Sequence, residues 1–231
     1  MFVGHYAAAL AAKSVEPRAP LWAYVGAAQL LDIGWTSLVM ANVEHVSFDT
    51  ALPGSPLVLY DMPWTHSLPA AVAWSVAALL VLRWALKLPW GAAVMVGLTV
   101  FSHWLLDYLV HRPDLLTGLG SVKVGLGWWN YPVPEQALEM GLLAITGAMW
   151  AGARTAAGRN AWPAVVFIAI LVAVQIIGTV TAPAGSAFAF ARTGLIVYVA
   201  LTLVAVVIDL GKPKAAPPAA WSGPAEGEQA A

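Results

Sequence analysis

Long stretches of apolar residues constrain the fold of this chain more than any other feature. A helix needs about 20 consecutive apolar residues to cross a bilayer, and the sequence has six such stretches. They are residues 20–42, 67–86, 89–110, 134–153, 161–180 and 188–210. Residues 2–12 are also apolar, but this stretch is too short to cross. We therefore predict an all-α polytopic membrane protein with about six transmembrane helices and a short N-terminal helix.

Composition agrees with a membrane-embedded chain. Hydrophobic residues make up 60% of the 231 residues and charged residues 10%, whereas a soluble domain carries about a quarter charged residues. We predict that residues 1–211 form one helical membrane domain and that the Pro-, Ala- and Gly-rich residues 212–231 form a disordered tail. The net charge of −1 gives no electrostatic basis for binding nucleic acid. Because the chain has no Cys, thiolate metal sites, disulfides and Cys nucleophiles are excluded.

The distribution of Lys and Arg predicts the orientation in the membrane. With the N-terminus in the cytoplasm, eight basic residues face inward and three face outward, as the positive-inside rule requires. The inward set is Lys13, Arg18, Arg83, Lys87, Arg154, Arg159, Lys212 and Lys214, and the outward set is Arg112, Lys123 and Arg192. We predict an integral protein of the cytoplasmic (inner) membrane with both termini in the cytoplasm. The long loops, residues 43–66 and 112–133, then face outward.

Three residues of metal-binding type share one face of the third predicted span. His103, Asp107 and His111 follow one another at intervals of four residues, which is about one helical turn. Two ligands at this spacing reach one ion without distortion of the backbone. A charged Asp inside a bilayer costs several kcal/mol unless it is paired, and a divalent ion would offset that cost. The motif alone is weak evidence, because His and Asp occur at this spacing by chance.

Further His and Asp residues fall near the same predicted region. Asp32 lies in the middle of the first span, His66 precedes the second span and His5 lies in the short N-terminal helix. At a rise of 1.5 Å per residue, Asp32 and His103 lie roughly 18 and 21 Å from the inner ends of their spans, so one site in the outer half can include both. Zinc accepts imidazole nitrogen and carboxylate oxygen as ligands. We predict that a divalent metal ion, in the first place zinc, is held by Asp32, His66, His103 and Asp107. His5 can join this site only if the short N-terminal helix runs beside the first span.

Acidic residues at the outer side are candidates for a general base. Asp61 shortly precedes His66, and Glu135 and Glu139 lie one turn apart at the start of the fourth span. The helix macrodipole favours a carboxylate at Glu135, whereas Glu139 lies one turn deeper. We predict Asp61 or Glu139 as the base that activates a metal-bound water. His45 is interpreted as an ordinary loop residue.

Two basic residues of the outer loops are candidates for binding a substrate phosphate. Arg112 can bind phosphate in a bidentate manner, and Lys123 lies in the same loop. Alternatively, Arg112 forms a charged rim at the membrane interface together with His111 and Asp114. A further alternative treats Asp32 as a hydrogen-bond partner in helix packing.

Several short motifs together resemble the YdjM-type family of inner-membrane proteins, which are described as metal-dependent hydrolases. The motifs are Gly4-His5, the Leu-Leu-Asp that ends at Asp32, the Trp-Thr-His-Ser around His66, and the Ser-His-Trp-Leu-Leu-Asp that holds His103 and Asp107. The order of these residues also resembles the ligand order of zinc-dependent phospholipase C and its nuclease relatives. Those soluble, all-helical enzymes hydrolyse phosphodiesters with several zinc ions.

The resemblance covers about residues 1–141 and implies that the metal ligands are His5, Asp32, His66, His103, Asp107 and His111. In the soluble enzymes a last His and Glu complete the set, but this chain has Glu135 and Glu139 at the corresponding place. One or two ions are therefore expected rather than three.

Three functions are compatible with the sequence. The first is a membrane-embedded metal-dependent hydrolase that acts on a phosphoester or a lipid head group at the outer leaflet. The second is a transporter or proton relay in which intramembrane Asp and His residues line a pathway. The third is a noncatalytic membrane scaffold that a metal ion stabilises. The oligomeric state is not determined by the sequence.

Overall fold

Eight α-helices form most of the described chain. The structure is a computed structural model that describes residues 1–118, 121–181 and 185–209. The tail predicted for residues 212–231, with Lys212 and Lys214, lies outside the described residues. The helices are α1 (Val3–Val15), α2 (Leu21–Ala28), α3 (Leu30–Met40), α4 (Leu68–Ala85), α5 (Trp90–Val110), α6 (Pro132–Ala156), α7 (Trp162–Val180) and α8 (Ala187–Asp209).

Four of these helices, α4, α5, α7 and α8, are long and apolar enough to cross a membrane. Their bounds agree within two residues with four of the predicted spans. In the most apolar 18-residue part of α4, only 11% of the residues are buried within the protein. In that of α5, 50% of the residues are buried. Helix α4 therefore exposes an apolar surface that suits lipid, and α5 carries much of its length inside the bundle. These helices indicate a membrane protein.

The predicted count of six spans is not supported. Helix α6 is long enough, but its Glu, Gly and Arg residues make it less apolar than the other four. The predicted first span is interrupted, because Gln29 leaves the helical conformation at φ −112° and ψ 11° and separates α2 from α3. The last carbonyls of α2 then lack helical partners. Such a break is tolerated at membrane depth only where protein surrounds it, and Ala28 and Gln29 are fully buried.

Helix α1 lies in the centre of the protein. It packs most extensively against α6 and also against α2 and α5. Nine of its thirteen residues are buried, among them His5, Tyr6 and Leu10. The sequence predicted only a short helix too short to cross, but its apolar character on all sides is typical of a core helix. Its position brings His5 beside α5.

Each of the two long loops contains a small antiparallel sheet. Strands β1 (His45–Phe48) and β2 (Leu57–Asp61) pair between α3 and α4. Strands β3 (Leu115–Leu116) and β4 (Lys123–Val124) pair between α5 and α6, ahead of a 3-10 helix at Trp128–Asn130. The protein is therefore mainly rather than entirely helical, and the strands cover the end of the bundle at which the polar cluster lies.

Candidate metal centre

Asp107 is surrounded by four imidazole rings. Its Oδ1 lies 3.1 Å from Nε2 of His5 and 3.2 Å from Nε2 of His111. Its Oδ2 lies 3.1 Å from Nε2 of His103 and 3.5 Å from Nε2 of His66. All five side chains are buried. The structure thus brings together residues of α1, α5 and the segment before α4, with one carboxylate between them.

Asp32 approaches the same cluster from α3. Its Oδ1 lies 3.4 Å from Nε2 of His66 and 3.6 Å from Nε2 of His103. Because the predicted first span is interrupted at Gln29, Asp32 stands in the first turn of a new helix, where a negative charge is favoured by the helix macrodipole. All six predicted metal ligands therefore lie in one cluster.

The distances in the cluster fit the coordination shell of a metal ion. Zinc binds His nitrogen and carboxylate oxygen at about 2.0–2.1 Å in a tetrahedron, which places neighbouring ligand atoms about 3.3 Å apart. Two overlapping groups have candidate ligand atoms that all lie within 4.8 Å of one another. They are His5, His103 and Asp107, and Asp32, His66 and His103. These buried groups could hold a metal ion.

The outward-facing ring nitrogens of three histidines have oxygen partners. Nδ1 of His103 lies 2.7 Å from the carbonyl oxygen of Ala28, and Nδ1 of His111 lies 2.9 Å from Oδ1 of Asp114. Nδ1 of His66 lies 2.8 Å from Oγ1 of Thr65. A proton on Nδ1 satisfies each contact and leaves Nε2 with a free lone pair. Metal-binding histidines are oriented in this way.

Two histidines carry buried nitrogens that the described residues leave without a hydrogen bond. They are Nε2 of His103 and both ring nitrogens of His5. The two rings stack with centroids 3.7 Å apart and planes at 5°. A buried polar atom without a partner costs about 1–3 kcal/mol, and two protonated rings would repel each other at this distance. A cation held between Nε2 and the carboxylates would remove this cost.

The start of α1 is held by Glu139 of α6. The carboxylate accepts hydrogen bonds from the backbone N–H of Phe2 at 3.0 and 3.1 Å and of Gly4 at 2.8 Å. The amino group of Met1 lies 3.2 Å from Oδ1 of Asp107. Both oxygens of Glu139 are thus used to fix α1, which holds His5 against the cluster. The contacts of Glu139 favour this structural role over that of the predicted base.

A cavity of about 860 Å³ opens beside the cluster. Side chains of Asp32, His66, Asp107 and His111 form its polar wall. The remaining lining includes Trp35, the loop between β1 and β2, the last residues of α7, and Phe190 and Tyr198 of α8. None of the lining residues in the described part of the chain is Lys or Arg. The cavity therefore combines carboxylates with an apolar wall.

Asp61 does not belong to the cluster. Its Oδ2 lies 2.6 Å from Nδ1 of His45 in the hairpin of β1 and β2, and its side chain is 43% exposed. It does not line the cavity. The structure therefore gives no support to Asp61 as the base. His45, interpreted as an ordinary loop residue, instead starts β1 and pairs with this carboxylate.

The two basic residues predicted to bind phosphate hold loops together instead. The guanidinium of Arg112 donates to Oδ1 of Asn130 at 3.0 Å and to the carbonyl of Pro53 at 2.8 Å. Lys123 donates to the carbonyl of Tyr60 at 2.8 Å. Neither residue lines the cavity. Their predicted contact with substrate is therefore not supported.

Several residues around the cluster were not found from the sequence. Glu44 is 1% exposed and contacts Thr65, the neighbour of His66. Burial raises the pKa of the Glu44 carboxyl above its ordinary value, although the surrounding hydrogen-bond donors oppose that rise. The only signal in the sequence is the acidic residue directly after an apolar span. Its partner lies 21 residues further along the chain, so no local pattern identifies the pair.

Comparison with known proteins gave no match: no family model, no curated protein and no solved structure is significantly similar to this chain.

Proposed function

We propose that this protein is a membrane-embedded, metal-dependent hydrolase that acts on a phosphoester, such as a lipid head group, at the outer leaflet. The convergence of four imidazole nitrogens on the two oxygens of Asp107 supports it. The residues that would hold zinc are His5, Asp32, His66, His103, Asp107 and His111. Bound zinc would supply a nucleophile by lowering the pKa of its water to about 7.

The acidic lining of the cavity favours the binding of metal cations. Its described lining includes four acidic residues and the amino group of Met1, without any Lys or Arg. The acidic residues are Asp32, Asp107, Glu135 and Glu139. An anionic phosphoester would be repelled by these carboxylates alone. Bound divalent ions would offset the negative charge and receive the phosphate oxygens. The apolar wall from α7 and α8 suits the hydrocarbon part of a lipid.

A transporter or proton relay finds less support. Towards its N-terminus from His103, α5 buries Ala92, Ala93, Val96 and Val100. No titratable side chain of this helix continues the cluster towards the opposite end. Uptake by reconstituted vesicles that depends on Asp32 would favour transport over hydrolysis.

The proposed topology places the protein in an inner membrane, with the loop after α1 and the end of α8 on the cytoplasmic side. The predicted cytoplasmic position of the N-terminus is not retained, because the amino group of Met1 lies 3.2 Å from Oδ1 of Asp107 in the cluster. The pair α2 and α3, and also α6, then cross the bilayer together with the four most apolar helices. This arrangement places the two long loops and the cluster at the outer surface. The YdjM-type family is proposed as the family of this chain on the strength of the motifs alone.

The test is to measure bound metal and phosphoester hydrolysis on protein purified in detergent. We expect wild-type protein to carry one or two zinc ions per chain, to hydrolyse a chromogenic phosphodiester or a lipid in vesicles, and to lose both properties in Asp107→Asn. His45→Ala is the matched control, because His45 lies outside the cluster. Equal metal content in Asp107→Asn and wild type would contradict the site. Metal binding without turnover of any phosphoester would instead identify a metal-stabilised scaffold.

A further inference from the structure

Glu44 is a buried carboxylate with no place in the candidate ligand set. It lies between the end of α3 and the first residue of β1 and is 1% exposed. A charged group is seldom buried unless hydrogen bonds or an opposite charge compensate its lost hydration. The partners of Glu44 therefore indicate why an acidic residue stands here.

Glu44 binds the chain at the far end of the hairpin of β1 and β2. Its Oε1 accepts hydrogen bonds from the backbone N–H of Trp64 at 2.7 Å and of Thr65 at 3.1 Å. Its Oε2 accepts a hydrogen bond from the hydroxyl of Thr65 at 2.7 Å. These three bonds join the two ends of the segment and fix the backbone immediately before His66.

The hydroxyl of Thr65 connects the carboxylate of Glu44 to the imidazole of His66 by hydrogen bonds. Because its only hydrogen is donated to Glu44, the oxygen can only accept from the ring, and Nδ1 of His66 lies 2.8 Å away. The proton of the neutral ring is thereby placed on Nδ1. Nε2, which faces Asp32 at 3.4 Å and Asp107 at 3.5 Å, keeps its lone pair.

His66 needs such support more than the histidine of α5 does. His103 is inside a helix, whereas His66 lies in the irregular segment before α4. The backbone carbonyl of His66 accepts a hydrogen bond from the indole of Trp104 at 3.0 Å. That bond fixes the main chain but leaves the ring free to turn. The rings of Trp35, His103 and His111 pack around the imidazole, and the hydrogen bond with Thr65 fixes the direction of Nδ1.

We propose that Glu44 and Thr65 are positioning residues that orient His66 and fix its proton on Nδ1, so that Nε2 is presented to the metal ion. This inference rests on the metal binding in the proposed function, but not on the hydrolase activity. It adds Glu44, which lies outside the sequence motifs, and gives a role to Thr65, the neighbour of His66 in the Trp-Thr-His-Ser motif. Partners of this kind typically account for about 10- to 100-fold in metal affinity.

The test compares two substitutions of Thr65 that differ in the hydroxyl group. Thr65→Val keeps the shape and removes the hydroxyl, whereas Thr65→Ser keeps the hydroxyl. Zinc affinity is measured by competition with a chromogenic chelator, and the visible absorption of the cobalt-substituted protein reports the ligand geometry. We expect Thr65→Val and Glu44→Gln to weaken zinc binding about 10- to 100-fold and to alter the cobalt spectrum, and Thr65→Ser to restore both.

Ser67→Ala is the control for a purely structural effect. The Ser67 hydroxyl donates to the carbonyl of Pro63 and accepts from the N–H of Ala70 at the start of α4. It lies in the same segment but has no contact with the ring of His66 among its hydrogen bonds. We expect this variant to lower the unfolding temperature and to leave zinc affinity and the cobalt spectrum unchanged.

The outcomes separate this inference from the proposed function. Equal zinc affinity in Thr65→Val and Thr65→Ser would overturn the positioning role while the hydrolase proposal stands. Loss of affinity in Thr65→Val without phosphoester turnover by wild type would retain the positioning role and overturn the hydrolase. A wild-type protein that binds no metal would overturn both.

Discussion

Carboxylates in this protein differ in role because they differ in partners. Asp107 has imidazole nitrogens around both of its oxygens. Glu139 accepts hydrogen bonds from backbone N–H groups of α1, and Asp61 pairs with His45 in a hairpin. Sequence alone treats Asp61 and Glu139 as equivalent candidates for a base. Their contacts separate a surface ion pair from a residue that holds a helix in place.

Replacement of Glu139 by Gln tests the structural role of this residue. We expect Glu139→Gln to destabilise the protein by about 1–3 kcal/mol, because one N–H of α1 then faces an amide donor instead of a carboxylate oxygen. Thermal unfolding in detergent measures the effect. Asp61→Asn is the control and should leave stability, bound metal and activity close to wild type. If Asp61→Asn abolished turnover while it retained metal, Asp61 would be the base after all.

At the scale of elements, the ends of helices place the candidate ligands. The break between α2 and α3 provides a carbonyl for His103 and a helix start for Asp32. At the end of α5, the segment after β4 folds back over the last turn. The N–H of Gly127 donates to the carbonyl of His111 at 2.7 Å, and that of Leu126 to the carbonyl of Tyr108 at 2.8 Å.

Gly125 allows this segment to approach the end of α5. A Cβ atom on Gly125 would lie 2.4 Å from the carbonyl oxygen of Arg112 and 2.5 Å from that of His111. Since backbone atoms cannot yield like a flexible side chain, we expect Gly125→Ala to destabilise the protein by about 1–3 kcal/mol and to weaken metal binding through His111. Unfolding temperature and zinc affinity are the measurements.

Gly141 provides the matched glycine for that experiment. It lies inside α6, and a Cβ atom there would meet nothing within 4 Å. Gly141→Ala should stabilise the protein by about 0.5–1 kcal/mol, because Ala is the better helix former. Equal effects of the two substitutions would contradict the role given to the segment after β4.

Four helices and the shared face of three cluster residues could be predicted, because each depends on a pattern within one stretch of sequence. Runs of about 20 apolar residues identify spans, and intervals of four residues identify His103, Asp107 and His111. The break at Gln29 was missed, because an average over a whole span does not detect one residue that leaves the helical conformation. The partners of Arg112 and Glu44 were missed because each lies across a long loop.

At the scale of the whole molecule, the cluster and the basic residues lie towards opposite ends of α1. His5 belongs to the cluster. Lys13, eight residues and therefore about 12 Å further along the helix, lies 3.5 Å from Oδ1 of Asp209 at the end of α8. The loop after α1 and the end of α8 are thus on one side of the protein. The position of Lys13 beside the end of α8 and that of His5 in the cluster agree with the proposed orientation, in which the basic side faces inward and the cluster faces outward.

Single cysteines can test this orientation, because the natural chain contains none. Ser47 of β1 and Ala157 after α6 are both exposed. We expect a membrane-impermeant maleimide to label Ser47→Cys in intact spheroplasts, and to label Ala157→Cys only after the membrane is opened. Labelling of Ala157→Cys in intact spheroplasts, with protection of Ser47→Cys, would mean that the protein has the opposite orientation.

The chain before residue 112 and the last two helices contribute differently to the cavity: the first part provides the candidate ligands, and the last two helices provide wall residues. Every candidate metal ligand precedes residue 112, whereas Gln175, Phe190 and Tyr198 line the cavity without being candidate ligands. A ribosome completes the ligand set before it has made α7 or α8. A substitution in α7 or α8 therefore changes the shape of the chamber without changing a ligand, so chains with the same chemistry could diverge in the molecules they accept.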